Sequence, residues 1–281
     1  WDVDKISKDE LISAMVGREV TQLYPKQAVP IGETALEVKG LTKKGYFKDI
    51  SFDVKKGEIF GLTGLVGAGR SEVCQGICGL LKPDSGTILV NGEECSFTHP
   101  SQALKKGVGY LPEDRQQQGL ILSWELYRNM TLSTLDKYNR LIGIDTGRER
   151  QAGMELCEKL QIKAKSIFSR ADSLSGGNQQ KVVFAKLLNS DVNILLLDEP
   201  TKGVDVGAKA QIYSIMSDLA AQGYAIILVS SEMPEVMSMA DRIGVMHERH
   251  LAAIFDAFHV TQEEILAAAM TVKDEDLKEG A

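Results

Sequence analysis

The sequence predicts an α/β fold in which a parallel sheet is covered by helices on both faces. Short apolar stretches at 194–197 and 225–229 have the length of buried strands. Between them, residues 207–222 carry apolar side chains along one helix face, at Ile212, Ile215, Met216 and Leu219. Alternation of such strands with helices is typical of a parallel sheet buried on both sides.

The composition is that of a globular protein. The 281 residues are 43% hydrophobic and 25% charged, which excludes wholesale disorder and low-complexity fibres. The net charge of −7 argues against generic nucleic-acid binding. No apolar run approaches the roughly 20 residues of a membrane-spanning helix, and the polar start is unlike a signal peptide. The four cysteines fit neither a disulfide scaffold nor a zinc site. We expect a reduced, cytosolic protein, and Trp1 in place of Met indicates a fragment or processed product.

The first half of the chain is expected to open with a helix. Residues 7–10 form a Ser-Lys-Asp-Glu capping box before an apolar run that ends at Gly17. Residues 18–34 lack periodicity and are interpreted as a linker. From Ala35 onward, alternation and apolar runs predict strands at 35–41, 47–54 and 57–64, a helix at 71–81, and a strand at 85–94 with an Asn-Gly turn.

The second half of the chain is predicted to contain alternating helices and strands. Residues 113–170 are polar and are predicted to be mostly helical. After Leu174 the predicted order is helix, strand, helix, strand, helix and strand, with the strands at 193–197, 225–231 and 242–247. A Thr-Gln-Glu-Glu capping box at 261–264 predicts a further helix, and the charged tail 273–281 is expected to be disordered.

A glycine-rich loop follows the strand predicted at 57–64 and opens a helix. It reads Gly-Leu-Val-Gly-Ala-Gly-Arg-Ser and includes Gly64, Gly67, Gly69, Arg70 and Ser71. Glycines let backbone N–H groups surround phosphate oxygens, and the helix N-terminus adds its positive dipole end. A hydroxyl at the last of these positions suits Mg²⁺. A dinucleotide fingerprint would need a further glycine where Glu stands, and the alternative is a tight turn without a ligand.

Arg70 is the departure from the pattern G-x-x-x-x-G-K-[ST]. Lysine is a compact charge on a flexible stem, whereas guanidinium is broad and planar. We expect this loop to hold nucleotide without positioning the terminal phosphate for attack.

Two adjacent carboxylates end the predicted strand at 193–197. Asp198 can hold Mg²⁺ through water, and Glu199 can polarise an attacking water as a general base. The alternative is an ordinary strand followed by a polar turn.

A second anion-binding turn is predicted at Ser175, Gly176 and Gly177, which open a helix. One protein chain does not need two phosphate cradles, so this one is expected to serve a nucleotide held by another domain. The alternative is an ordinary Ser-Gly-Gly helix start.

These motifs, in this order, resemble those of the ATP-binding-cassette (ABC) family over about residues 35–250. The resemblance implies a P-loop NTPase cassette with a RecA-like parallel sheet core, an antiparallel β subdomain and a helical subdomain at about 113–170. In that family two cassettes stack head to tail, and each ATP lies between the phosphate loop of one and the signature of the other. The resemblance assigns ATP binding to Gly64, Gly67, Ala68, Gly69, Arg70, Ser71, Glu72, Ser175, Gly176 and Gly177.

The sequence is most similar within that family to the second nucleotide-binding half of ribose-type monosaccharide importers. This resemblance rests on residues 66–72, 112–115, 175–182, 198–209 and 227–236. Residues 15–19 resemble the linker between two fused cassettes. The resemblance implies that 1–34 is an inter-cassette helix and linker and that 251–281 is a C-terminal extension.

Three positions depart from the general family pattern. Arg70 stands at the lysine, Glu113 at a glutamine that senses Mg²⁺, and Ser231 at the switch histidine. The resemblance implies two unequal sites, with the one on this chain's own loop degenerate. The implied catalytic set is Glu199, Ser231 and Asp205, and the implied metal ligands are Ser71, Asp198 and Glu113. Asp205 also has a simpler interpretation as the N-cap of the following helix.

The expected function is therefore ATP binding and hydrolysis that energises import of a ribose-like monosaccharide at the cytoplasmic face of a membrane. The implied partners are an N-terminal cassette of the same full-length chain, integral-membrane permease subunits docking at about 114–130, and, indirectly, a periplasmic or extracellular sugar-binding protein; no nucleic acid is expected. The implied ligands are ATP and Mg²⁺. The alternatives are a non-transport ABC ATPase, or a nucleotide-responsive half with no turnover of its own. The isolated chain is expected to hydrolyse ATP slowly at best.

Overall fold

A computed structural model describes residues 24–141 and 143–270. The chain divides into two compact units. The helical unit contains the described residues 24–28 together with 114–189 and 201–219, and the sheet unit contains 29–113, 190–200 and 220–270. The predicted helix that ends at Gly17, the linker-like segment 15–19 and the charged tail lie outside the described residues.

Within the described part of the sheet unit, strands form two sheets. The strands in chain order are β1 (Thr34–Lys43), β2 (Phe47–Lys55), β3 (Ile59–Gly64), β4 (Ser85–Val90), β5 (Glu93–Cys95), β6 (Val108–Leu111), β7 (Ile194–Asp198), β8 (Ala225–Val229), β9 (Arg242–His247) and β10 (His250–Asp256). One sheet is antiparallel, with the order β2-β1-β4-β5. The other has the order β10-β9-β3-β8-β7-β6, and its strands run parallel except for β10.

The helices of the described residues are α1 (Arg70–Ile77), α2 (Pro100–Lys105), α3 (Leu126–Thr131), α4 (Thr146–Lys159), α5 (Gly176–Leu188), α6 (Val206–Ala221), α7 (Met233–Met239) and α8 (Gln262–Met270). In the sheet unit, α1 packs on β3 and β7, α7 on β3, and α8 on β9. The helical unit also contains a π-helical turn at Arg115–Gly119 and 3-10 turns at Leu132–Tyr138 and Ala171–Ser173.

The prediction of a parallel sheet covered on both faces is confirmed. All five residues of β7 and of β8 are buried, which requires apolar cover on both faces of the sheet. In β3 only Gly64, the last residue, is partly exposed. The core beneath the sheets is apolar and includes Val38, Ile50, Phe60, Leu62, Val73, Ile77, Leu196 and Ile227.

The strand register brings the ends of β3, β8 and β7 to one edge of the sheet. Leu62 pairs with Val229, and Val229 pairs in turn with Asp198. Because these strands are parallel, the loops that follow them leave the sheet on the same side. This edge therefore carries the glycine-rich loop and both carboxylates.

Several local predictions can be compared directly with the structure. Thr261 and Glu264 form the predicted capping box, with the N–H of Glu264 donating to Thr261 Oγ1 at 3.3 Å and the N–H of Thr261 donating to Glu264 Oε2 at 2.8 Å. The sheet continues through β10 to Asp256, past the expected cassette end at 250. Residues 160–170 contain no helix, although 113–170 was predicted to be mostly helical.

No helix in the described ranges is long and apolar enough to cross a membrane.

Candidate functional site

The glycine-rich loop needs glycine at three positions for different physical reasons. Gly64 has φ 150°, and a Cβ there would lie 2.3 Å from the carbonyl oxygen of Met246. Gly69 has φ 95°, and its Cβ would meet the carbonyl oxygen of Tyr46 at 2.8 Å. Gly67 has open space around it but φ 81°, a conformation that residues with a Cβ rarely adopt. The loop is thus built by close backbone approach and left-handed geometry.

The loop ends at a helix N-terminus that can bind an anion. Gly69 is the N-cap of α1, and the first intrahelical bond runs from the N–H of Val73 to the carbonyl of Gly69 at 3.0 Å. The N–H groups of Arg70, Ser71 and Glu72 therefore have no intrahelical acceptor. Such N–H groups, together with the helix dipole, favour phosphate.

Ala68 supports the loop from within. It is 5% exposed, and its N–H donates to the carbonyl of Leu65 at 3.1 Å. Tyr46, beside the loop, is 45% exposed, whereas Phe47 is buried in the core.

Asp198 is the buried carboxylate at this edge, 1% exposed. Its Oδ1 accepts a hydrogen bond from Ser71 Oγ at 3.0 Å, and its Oδ2 accepts one from the hydroxyl of Tyr110 at 2.9 Å. Burial raises the pKa of Asp198 from 3.8 to about 6, although both hydrogen bonds lower it; the charges of Glu113 and Glu199 raise it further. The structure thus brings together Ser71 and Asp198, two of the three predicted metal ligands.

Tyr110 is a site residue that sequence reasoning missed. It lies on β6, a four-residue strand that the apolar pattern did not reveal. Its burial raises the pKa of the hydroxyl well above the ordinary value, so the group remains a donor to Asp198. The only signal in the sequence was the short segment Val-Gly-Tyr-Leu before Pro112.

Glu199 is held in a strained backbone conformation. It has φ 48°, is 9% exposed, and its N–H donates to the carbonyl of Val229 at 2.9 Å. A non-glycine residue in the left-handed region costs on the order of 1–3 kcal/mol and persists only where the surroundings enforce it. Such strain concentrates at functional sites.

Arg70 reaches from the start of α1 to this same carboxylate. Its Nη1 donates to the carbonyl of Ser230 at 2.9 Å, and its Nη2 lies 3.9 Å from Glu199 Oε1. Both side chains are about one-tenth exposed. The guanidinium therefore spans the ends of β8 and β7.

The other two departures from the family pattern are exposed. Glu113 follows β6 after Pro112 and lies close enough for its charge to raise the pKa of Asp198. Ser231 comes directly after Ser230, which is buried and whose hydroxyl donates to Glu235.

The helical unit contains the remaining predicted site residues. Ser175 is the N-cap of α5 and is exposed, and its Oγ accepts from Asn178 Nδ2 at 2.9 Å. A Cβ on Gly177 would lie 2.3 Å from Cβ of Ala208. Asp205 Oδ1 accepts the N–H of Ala208 at 3.0 Å, so Asp205 occupies the N-cap position of α6, as its simpler interpretation predicted.

The predicted site residues thus fall into two sets. The glycine-rich loop, Glu113, Asp198, Glu199 and Ser231 belong to the sheet unit, whereas residues 175–177 and Asp205 belong to the helical unit.

A metal ion at this edge would need further oxygen ligands from a bound substrate or from water. Among the described residues, no group of three or more His, Cys, Asp or Glu side chains is placed to hold a metal ion. Ser71 and Asp198 instead offer adjoining oxygen donors. This set fits Mg²⁺, which proteins commonly bind through one or two side chains together with substrate phosphates and water.

Comparison with known proteins agrees with this geometry. The family model described as ABC transporter matches residues 47–202. A ribose import ATP-binding protein of Streptomyces avermitilis is 44% identical over 267 residues, covering 95% of this chain and 53% of that protein. One from Caldanaerobacter subterraneus is 45% identical, covering 96% and 54%. A putative ribose/galactose/methyl galactoside import ATP-binding protein of Geobacillus kaustophilus is 46% identical, covering 94% and 53%. The chain therefore spans about half the length of these curated relatives.

Solved structures share the fold at low sequence identity. A nucleotide-free ATP-binding cassette from an ABC transporter superposes with TM-score 0.71 at 21% identity, covering 88% of this chain and 100% of that one. A dimeric cassette in a post-hydrolysis state with ADP and Pi bound gives TM-score 0.68 at 21% identity, covering 79% and 98%. The matched family model, the cassette fold and the phosphate loop set against two carboxylates lead to one conclusion: this chain belongs to the ABC transporter family.

Proposed function

We propose that this chain is a cassette that binds and hydrolyses ATP and thereby energises import of a ribose-like monosaccharide through a separate membrane permease. The observation that carries the proposal is the meeting of the phosphate loop with Asp198 and Glu199 at one sheet edge. A helix N-terminus beside two carboxylates suits a metal-bound nucleoside triphosphate. The names of the relatives, which are import ATP-binding proteins for ribose or ribose and galactosides, support sugar import.

Each residue at this edge has its own part in the proposed reaction. The N–H groups at the start of α1 receive phosphate oxygens, and Ser71 with Asp198 would hold Mg²⁺. Mg²⁺ neutralises phosphate charge when it is bound. Tyr110 orients the Asp198 carboxylate through its hydroxyl. Glu199 accepts a proton from the water that attacks the terminal phosphate, and Glu113 and Ser231 line the exposed rim.

The proposal includes two unequal nucleotide sites. Arg70 is already engaged with the carbonyl of Ser230 and lies beside Glu199, which supports a degenerate site on this chain's own loop. Residues 175–177 and Asp205 would act in trans on ATP held by an N-terminal cassette of the same full-length protein. That second site is proposed as the main catalytic one.

The remaining partners follow from the same proposal. Residues 1–34 would connect to the preceding cassette, and 251–281 would form a C-terminal extension. The segment 114–130 would dock the permease at the cytoplasmic face of the membrane, with a periplasmic or extracellular binding protein delivering the sugar. The acidic net charge of −7 favours transport over a role on nucleic acid.

Nucleotide binding is the first test. A fluorescent ADP analogue is titrated against the chain with and without Mg²⁺, using Ser71→Ala as the test variant and the exposed Ser133→Ala as the control. We expect Mg²⁺-dependent binding that weakens by about tenfold or more in Ser71→Ala alone. An absence of binding by the unaltered chain overturns the proposal.

Sugar import is tested in the full-length protein with its membrane subunits. ATP hydrolysis is measured with binding proteins loaded from a panel of sugars. Stimulation by a pentose or hexose identifies the cargo, and an absence of stimulation by any sugar contradicts the import function.

One observation favours a second candidate, a nucleotide-responsive half without turnover of its own. The Arg70 guanidinium sits beside the carboxylate that must act as the base. If Glu199→Gln leaves ATP hydrolysis by the full transporter unchanged, the chain's own loop does not turn over ATP. The second candidate then replaces the proposal of hydrolysis at that loop.

A further inference from the structure

Arg115 is placed by a short turn at the start of the helical unit. The side chain of Asp114 accepts the N–H groups of Gln116 and Gln117, both at 3.0 Å, and so caps the π-helical turn 115–119. The cap fixes the direction in which the chain leaves Asp114. The Arg115 side chain consequently starts from a defined backbone position.

The Arg115 guanidinium joins two segments that are distant in the sequence. Nη1 donates to the carbonyl of Lys202 at 2.7 Å, and Nη2 donates to the carbonyl of Gly203 at 3.2 Å. Nε donates to Gln179 Oε1 at 3.4 Å. Hydrogen bonds from a charged donor are stronger than neutral ones, and the planar fork of arginine can reach two carbonyls together. Burial lowers the pKa of Arg115, which is consistent with a partly desolvated site.

Gln179 is itself held in place, so the hydrogen bond from Arg115 Nε joins Arg115 to a fixed side chain. It is 4% exposed, and its Nε2 donates to the carbonyl of Ala171 at 3.1 Å. Gln116 Nε2 also donates to Gln179 Oε1, at 3.3 Å. The first turns of α5 and of the π-helix are thereby tied together.

Arg115 also explains the small residue at the start of α5. A Cβ on Gly176 would lie 2.7 Å from Arg115 Nη2 and 2.9 Å from the carbonyl oxygen of Gly203. The guanidinium and this carbonyl fill the space that a side chain would need. The turn at 175–177 and the segment 202–205 therefore pack against one arginine.

We propose that Arg115 is a positioning residue that holds the turn 175–177 and the segment 202–205 in one fixed arrangement. The inference rests on the proposed function, in which these two segments complete the nucleotide site of a partner cassette. Arg115 belongs to neither segment. It begins the segment proposed to dock the permease, so a displacement of the turn 115–119 moves both segments together.

The first test measures local order in this chain and does not depend on ATP turnover. Arg115→Lys keeps the charge but cannot reach two carbonyls and Gln179 together. Arg170→Lys is the control, because Arg170 pairs with Asp172 on the exposed surface of the same unit. Hydrogen exchange is followed at the N–H groups of Gln179, Ala208 and Lys209, which bond to Ser175 and Asp205.

We expect exchange at these three groups to rise by about tenfold or more in Arg115→Lys, with little change elsewhere and none in the control. Unchanged exchange overturns the proposal. A rise spread over the whole helical unit also overturns it, because it shows general destabilisation instead of positioning.

The second test measures turnover in the full-length protein with its membrane subunits. Arg115→Lys should lower kcat for ATP hydrolysis by about tenfold or more and leave KM for ATP within about twofold. A rise in KM with unchanged kcat, or no change in either, contradicts the positioning role. If the unaltered transporter hydrolyses no ATP, the proposed function fails, while the exchange result still decides whether Arg115 orders the two segments.

Discussion

Asp198→Asn should stabilise the metal-free and nucleotide-free chain, and by an amount that depends on pH. Burial raises the pKa of Asp198 from 3.8 to about 6. The folded state therefore binds the proton more tightly than the unfolded state, and stability is lost as the pH rises from about 4 to about 6. The difference between the two pKa values corresponds to about 3 kcal/mol at neutral pH, of which about 2 kcal/mol is lost between about pH 4.5 and about pH 7.5.

The asparagine variant lacks this titration and keeps most of the hydrogen bonds. The hydroxyl of Ser71 can still donate to the amide oxygen, and the amide nitrogen can donate to the Tyr110 oxygen. We expect the variant's advantage in the free energy of unfolding to grow by about 2 kcal/mol between about pH 4.5 and about pH 7.5. The exposed carboxylate Asp136 provides the control, as Asp136→Asn.

The measurement is urea unfolding followed by far-ultraviolet circular dichroism at both pH values, without Mg²⁺ or nucleotide. A difference in free energy between variant and unaltered chain that stays constant with pH would refute the reasoning. So would a difference that shrinks as the pH rises.

Three further outcomes follow from the same geometry. Glu199→Gln should keep nucleotide binding within about twofold and lower any hydrolysis at this loop by about a hundredfold or more, measured by phosphate release; equal loss of binding would contradict its role as a base. Gly177→Ala should reduce the free energy of unfolding by about 1–3 kcal/mol, since the new methyl group meets Ala208 Cβ at 2.3 Å. Thermal unfolding of this variant is compared with that of the control Gly207→Ala, and an equal loss of stability in both variants would contradict the prediction. In the full transporter, Ser175→Ala should lower ATP turnover more than Arg70→Lys does, and the reverse order would show that the main catalytic site is the one on this chain's own loop.

The parts of the fold that were predictable are those with strong local signals. Residues 194–197 of β7 and all of β8 are unbroken apolar runs, and the loop after β3 carries glycines that its backbone conformation requires. The short strand β6 has only four residues, one of them glycine, so neither it nor the hydrogen bond from Tyr110 to Asp198 could be foreseen. The sequence likewise gives no sign that β10 turns back to pair with β9.

Long-range hydrogen bonds were the least predictable features of the site. Arg115 bonds to carbonyls 87 and 88 residues away, and those acceptors are backbone groups that any residue type would supply. The same holds for Arg70, whose bond to the carbonyl of Ser230 spans 160 residues. Residue types could indicate that both arginines matter, but only the fold shows what they touch.

The geometry around Glu199 bears on why the two proposed sites would be unequal. A residue before proline favours an extended backbone, yet Glu199, which precedes Pro200, has φ 48°. The bond from its N–H to Val229 and the pairing of β7 with β8 enforce this conformation. The strained backbone that presents the carboxylate is thus present in a site whose loop carries arginine in place of lysine. The carboxylate lies 3.9 Å from the Arg70 guanidinium, so the position beside the proposed base is occupied by arginine. Under the proposal of two unequal sites, the difference would therefore lie in the arginine beside the base and not in the backbone that carries the base.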